Sequence, residues 1–260
     1  GFLYRVIVLV FCLPSEAIKR SLLIFLDKKA VRLFDVIASN SKFSAGLVKD
    51  IYGREAIVVH LGIDLSEKAS PPSPPARDKF ILCVNHLLPF KNVQAVIEAY
   101  ALFVKEMKEA PVLKIVGTGY FKYYLEYIIK AEGLQRLVEF EGEIHGKQLK
   151  EYYSQAKMLI YTPLNEPFGL VPVEAMANGC PVIVSNQGGC AETVIHNETG
   201  ILVDPLSPGD IALAMQKIFN DSELSKRLSS RAREHVAMYF TLDKFVDRFL
   251  GALIKNDRRN

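Results

Sequence analysis

Residues 161–194 read YTPLNEPFGLVPVEAMANGCPVIVSNQGGCAETV, and this stretch decides the fold. An apolar run at 157–162 (KMLIYT) reads as a strand that ends in a loop. A helix is expected over 169–178, a second strand over 181–184 (PVIV) and a further helix over 189–195. In open α/β sheets ligands bind beyond the carboxyl ends of the strands, where the loop at 162–168 would lie. The start of a helix offers free N–H groups and the positive end of its dipole, both suited to an anion. Gly169 lets the backbone approach that anion closely.

Working outward, strand-like and helix-like patterns alternate along the chain, which indicates a parallel sheet with helices on both faces. The other expected strands are 35–39, 56–60, 79–84, 112–116, 137–141 and 200–203. Short Val/Ile-rich runs without clean alternation fit strands buried on both faces. Helical patterns occupy 15–34, 43–52, 92–107, 120–132 and 146–156, with three more at 208–219, 222–238 and 241–255. Ser15, Ser41, Ser207, Asp221 and Thr241 are expected N-caps, because a short oxygen-bearing side chain satisfies an orphan N–H. Residues 66–78 (SEKASPPSPPARD) carry four prolines and no apolar face, and read as a stiff linker. The expected organisation is a partial N-terminal lobe over 1–65, the linker, a Rossmann-like lobe over 79–240 and a last helix over 241–260.

A net charge of +3, without any run of Lys and Arg, argues against a nucleic-acid partner. Cys12, Cys83, Cys180 and Cys190 show no CxxC spacing, which points to a reducing, cytoplasmic setting without disulfides. The histidines never form HxxxH or HExxH, so no metal site built by the protein is expected. The N-terminal GFLYRVIVLVFCLP is interrupted by Arg5 and shorter than the roughly 20 residues a spanning helix needs. It also lacks a cleavage site of the secretory type. Lys19, Arg20, Lys28, Lys29 and Arg32 among Leu and Phe in 15–34 raise peripheral contact with the inner membrane face as a secondary expectation, although they form no single stripe.

Two acidic residues bracket the start of the 169–178 helix. Glu174 lies about one and a half turns in, near enough to reach a ribose whose two hydroxyls its carboxylate could accept. Glu166 would face the sugar side of a bound phosphate and could stabilise positive charge at an anomeric carbon. The competing reading makes Glu166 a helix cap and Glu174 surface charge. Spacing alone leaves both open.

The run from Glu166 to Val182, EPFGLVPVEAMANGCPV, resembles the E-x7-E signature of glycosyltransferase family 4, retaining enzymes of the GT-B fold. Gly188-Gly189, Glu192 and Gly200 fall where that family has "GG..E.v…G". VVHLGID (58–64) resembles its "v..nGvD" hinge and DVIASNSKFSAGL (35–47) its "D.iia.S.f…l" segment. The resemblance covers about residues 20–250. It implies that Glu174 holds the ribose and Glu166 the donor sugar, and that N–H groups around Phe168, Gly169 and Leu170 hold the distal phosphate and sugar. Gly117 and Gly119 would lie beneath the nucleotide, and the loop at Glu143–Ile144 beside the base. GTGY (117–120) also resembles part of a dinucleotide fingerprint, but Lys122 stands where the third glycine belongs, which sets a hydride-transfer enzyme aside.

The family's "R-L-x-P-x-K" clamp on the departing diphosphate reads here Asn85-His86-Leu87-Leu88-Pro89-Phe90-Lys91. Lys91 matches and supplies one fixed cation. His86 stands where arginine is expected, and a neutral imidazole offers one donor in place of a charged fork. The reaction implied is transfer of a sugar from a nucleoside diphosphate sugar to an acceptor hydroxyl of a glycan or lipid-linked acceptor, with retained configuration. The absence of a DxD motif fits a metal-independent site and no cofactor beyond the donor. The early strands and glycine-rich loop of the family's N-terminal lobe have no counterpart before Gly1. A second class therefore stands beside the enzyme: a nucleotide-sugar-binding module that needs a separate N-terminal lobe. The residues do not choose among GDP-mannose, UDP-glucose and UDP-N-acetylglucosamine.

Overall fold

The computed structural model describes residues 16–65, 80–105, 107 and 109–257. Cys12, the apolar N-terminus and the proline-rich 66–78 lie outside these residues. In chain order the elements begin with α1 (Glu16–Val31), β1 (Ala38–Ser39), α2 (Lys42–Tyr52) and β2 (Ile57–Val58). They continue with β3 (Phe80–Val84), α3 (Val93–Val104), β4 (Val112–Val116), α4 (Lys122–Ala131), β5 (Val138–Gly142) and α5 (Gly146–Gln155). Next come β6 (Met158–Tyr161), α6 (Leu170–Ala177), β7 (Val182–Ser185) and β8 (Ile201–Val203). The chain closes with α7 (Pro208–Asn220), α8 (Ser222–Tyr239) and α9 (Leu242–Asp257).

β3–β8 form a six-stranded sheet in the order β5-β4-β3-β6-β7-β8, parallel throughout. The chain starts in the middle at β3, builds outward through β4 and β5, then returns past β3 to build β6, β7 and β8 on the other side. That reversal leaves a crevice at the carboxyl ends of β3 and its neighbours, because the following loops diverge to opposite faces. β3 is buried along its whole length. Ile81 and Cys83 join α3, α4 and α7 in one core, while Phe80, Leu82 and Val84 join α5, α6 and the second half of α8 in the other. A strand sandwiched by helices needs apolar residues on both faces, which is why the sequence shows no alternation there.

β1 and β2 form a separate two-stranded parallel pair, shorter than the 35–39 and 56–60 expected. This N-terminal segment returns to the main body through a parallel bridge between Ile63 and Thr241. There Ile63 N–H donates to Phe240 O at 2.8 Å and Leu242 N–H to Ile63 O at 3.0 Å. Ser41, Ser207 and Asp221 cap α2, α7 and α8 as expected, and Thr241 accepts from Lys244 N–H at 3.2 Å. The expected helix at 189–195 is instead a 3-10 turn, Gly189–Thr193. It ends where Val194 turns extended (φ −125°, ψ 134°), and its first residue, Gly189, is wedged against the backbone of Pro167, where any side chain would overlap the Pro167 carbonyl. Among the described residues no helix is long and apolar enough to cross a membrane.

Candidate functional site

A cleft of about 420 Å³ opens at the strand reversal. Each neighbouring strand sends one loop to it. Asn85, His86 and Lys91 come from the loop after β3, Gly117 from the turn after β4 and Ile144 from the loop after β5. Glu166, Phe168, Gly169 and Leu170 come from the segment between β6 and α6. Of the site residues expected from sequence, Gly119 and Glu174 are not on its wall. Gly119 is packed on the backbone of Leu87. Glu174 lies on the second turn of α6 and accepts a hydrogen bond from the Tyr153 hydroxyl at 3.0 Å. Burial raises the Glu174 carboxyl above its ordinary value, partly offset by Tyr153 and the Lys150 charge.

The polar centre of the cleft is an ion pair. Lys91 Nζ lies 2.6 Å from Glu166 Oε2, each side chain only 15% exposed. The carboxylate therefore turns toward the lysine rather than to the helix start. Lys91 is aimed by its neighbours: Pro89 opens a 3-10 turn, Pro89–Lys91, and Asn92 ends it in the left-handed conformation at φ 57°. The buried Asn92 amide then donates to Thr162 O at 3.0 Å and to Pro205 O at 2.7 Å. Leu164 N–H also donates to Phe90 O at 2.9 Å, so the lysine turn and the glutamate loop are bound to each other. Pro at the first position of a turn and Asn at a left-handed end are signals that a closer reading of PFKN could have used.

Tyr161 stands behind the pair. Burial pushes its hydroxyl far above its usual range, and the Glu166 carboxylate pushes it further. Cys190 beside it is fully buried, its thiol pushed up to about 12 chiefly by burial, and so serves as packing. Gly169 begins α6 at φ 84° without a side-chain cap. A Cβ there would come within 2.9 Å of Cys190 Cβ, so glycine is required by both conformation and space. Gly169, Leu170 and Val171 line the cleft and no side chain caps the helix start, so an anion there would satisfy its orphan N–H groups. Gly117 (φ 129°) lies flat on Asn85, where a side chain would overlap the Asn85 carbonyl. His86 is exposed at the rim, while Asn85, Ile144 and Phe168 are buried in the wall. Among the described residues no group of three or more His, Cys, Asp or Glu side chains is placed to hold a metal ion.

Sequence reasoning overlooked the contribution of the N-terminal segment. Asn40 and Leu61 line the same cleft. The Ser41 hydroxyl donates to Pro167 O at 2.6 Å, and the His60 ring stacks on Phe168 with centroids 5.9 Å apart.

A six-stranded parallel sheet in this order, flanked by helices and opening at the strand reversal, is the architecture of GT-B glycosyltransferase structures. Within that class the chain belongs to the family glycosyl transferases group 1, whose sequence model matches residues 66–235. It is 31% identical to the alpha-1,3/1,6-mannosyltransferase alg-2 of Neurospora crassa, with 82% of this chain matched to 55% of that one. Among solved structures it is similar to HepE of Anabaena in complex with UDP and glucose (TM-score 0.80, 21% identity, 93% of this chain and 68% of that one). It is also similar to sucrose-phosphate synthase of Thermosynechococcus elongatus (TM-score 0.80, 25% identity, 97% and 66%). The chain spans about half the length of the curated relatives it matches.

Proposed function

We propose that this chain carries the donor site of a retaining glycosyltransferase of family 4, moving a hexose from a nucleoside diphosphate sugar to an acceptor hydroxyl. The observation that carries this reading is the Lys91–Glu166 pair, 2.6 Å apart at the mouth of an uncapped helix. Two opposite charges held together in a cleft are poised to separate around a ligand that carries both an anion and hydroxyl groups. Lys91 would move to the diphosphate and, with the α6 N–H groups, neutralise charge as the sugar–phosphate bond breaks. Glu166, freed from the lysine, would accept from sugar hydroxyls and stabilise the positive charge developing at the anomeric carbon.

In the retaining reaction, the acceptor oxygen bonds to the anomeric carbon on the face the diphosphate leaves, and the acceptor proton passes to a phosphate oxygen. The reaction then needs no metal, since Lys91 and the helix start supply the positive charge. Gly117 and the Glu143–Ile144 loop would seat the nucleoside, and Glu174 the ribose once its bond to Tyr153 opens. His86, at the rim, would give the leaving phosphate one further donor. The UDP and glucose of the HepE complex and the mannosyl transfer of the alg-2 enzyme support a nucleotide hexose as donor; the acceptor in this reading is a glycan or a lipid-linked one. Residues 1–65 are read as the end of an acceptor-side lobe, joined through 66–78.

The test is a thermal-shift panel of GDP-mannose, UDP-glucose and UDP-N-acetylglucosamine against the wild-type chain and Glu174→Ala. One donor class should raise the melting temperature of the wild type, and the shift should shrink in the variant. No shift with any donor would sink the reading. Stabilisation without turnover would favour a binding module that needs a separate N-terminal lobe.

A further inference from the structure

Glu192 has no part in the chemistry above, yet three groups converge on its carboxylate. It sits in the 3-10 turn Gly189–Thr193 and accepts from Lys42 N–H and Phe43 N–H, both at 2.9 Å. His60 Nε2 is 2.9 Å from Oε2, the oxygen that also accepts from Lys42. Lys42 and Phe43 open α2, so two orphan donors of that helix are satisfied by a carboxylate from a distant part of the chain, in addition to the local Ser41 cap on Ser44 N–H. Burial alone would raise the Glu192 carboxyl, but His60 and the two amides outweigh it and hold it below its ordinary value. It is therefore ionised at neutral pH and bonds as a charged acceptor.

The same helix start grips the donor loop. The Ser41 hydroxyl donates to Pro167 O at 2.6 Å and accepts from Ser44 N–H at 3.0 Å, while the Ser44 hydroxyl donates to Pro167 O at 3.3 Å. On the opposite side Gly189 N–H donates to Glu166 O at 2.7 Å. Two consecutive carbonyls of the loop are thus pinned, one by the turn that bears Glu192 and the other by the helix that Glu192 holds. We infer that Glu192 and Ser41 are positioning residues, a latch between the N-terminal segment and the sheet domain that holds the Glu166–Phe168 loop in register with Lys91.

The inference rests on the donor-site reading only for its consequence in binding, since the latch itself is a property of the ligand-free chain. Loop placement matters because a shift of about 1 Å at a reacting group can cost on the order of a hundredfold in rate.

The experiment compares Glu192→Gln and Ser41→Ala with wild type in the 260-residue chain. Amide exchange is followed by NMR at Leu164 and Gly189, whose N–H groups are protected only while the loop stays in place. Both variants should raise exchange at these two amides on the order of tenfold, as expected for loss of about one hydrogen bond. Strands β3–β7 should be unaffected. In the second arm, affinity for a nucleotide sugar should fall more than that for UDP or GDP, because Glu166 would meet only the sugar. Faster exchange at Lys42 and Phe43 alone, with Leu164 and Gly189 unchanged, would make Glu192 a mere helix cap and overturn the latch. If Glu192→Gln does not fold, Ser41→Ala decides by the same two amides. Failure of wild type to bind any nucleotide would count against the donor reading, and the exchange result would still judge the latch.

Discussion

Lys91 and Glu166 face each other at 2.6 Å in a half-enclosed place, and this makes their structural and chemical roles separable. In Lys91→Met the Glu166 carboxylate loses its cation, which should cost about 1–3 kcal/mol of stability and about 100- to 1000-fold in transfer rate. Adding Glu166→Gln should restore most of the stability and none of the rate, read by chemical denaturation and a donor-turnover assay. Glu174 behaves in the opposite sense. Its carboxyl is raised by burial, so the fold favours the protonated form. That contribution is complete below the unfolded value of about 4.3 and is lost as pH rises through the higher folded value. Glu174→Gln should therefore melt no lower than wild type at pH 7.5, with the gap narrowing toward pH 4, while donor affinity falls about tenfold through loss of a charged acceptor. A loss of stability in Glu174→Gln at pH 7.5 that shrinks toward pH 4 would show the ionised form to be needed by the fold.

At the scale of elements, α6 is the piece on which the site depends, and its first residue is its weakest point. Gly169→Ala places a Cβ against Cys190 at a positive φ, and should cost about 1–3 kcal/mol along with donor binding. Gly209→Ala, in the first turn of α7 with open space around it, is the control and should change stability by no more than about 1 kcal/mol. Denaturant midpoints of the two variants decide the matter. Much of this was legible in the sequence. EPFG followed by an apolar run places a loop and a helix start, and buried strands such as FILCV announce themselves by continuous apolar residues. The 3-10 turn at Gly189–Thr193 was less legible than a helix over 189–195, because Gly189 packs on Pro167, a neighbour that no local pattern reveals. The Lys91 turn was missed because Pro89 and Asn92 act together, and their partners Thr162 and Pro205 lie far along the chain. Glu174 is legible as a helix residue, but its bond to Tyr153 is a fact of packing between α5 and α6.

Across the whole molecule, the sheet domain closes its own two cores while the N-terminal segment leaves apolar side chains in water. Leu33 is 84% exposed and Phe34 60%, with Leu23, Ile24 and Phe25 about half exposed beside them. α9 adds Leu250, Leu253 and Ile254. Patches of this kind drive association, so sedimentation velocity should show reversible self-association at concentrations on the order of 100 µM. Leu33→Ser with Phe34→Ser should reduce it, and a wild type that stays monomeric there would show the patch to be inert. The sequence placed the α/β lobe because its contacts are mostly between neighbouring units. It placed the N-terminal segment less well, because that segment is held by partners more than a hundred residues downstream.

The bond from Glu192 to Lys42 spans 150 residues, and this has a meaning in time as well as in space. During synthesis at about 5–20 residues per second, α2 would wait on the order of ten seconds for the carboxylate that caps it. Through that interval Leu61 and Ile63, which pack on the finished sheet domain, have nothing to rest on. The docking of this segment is therefore expected to be the last and slowest step of folding, since long-range closure follows local structure. It would also be the point at which a newborn chain most needs a chaperone.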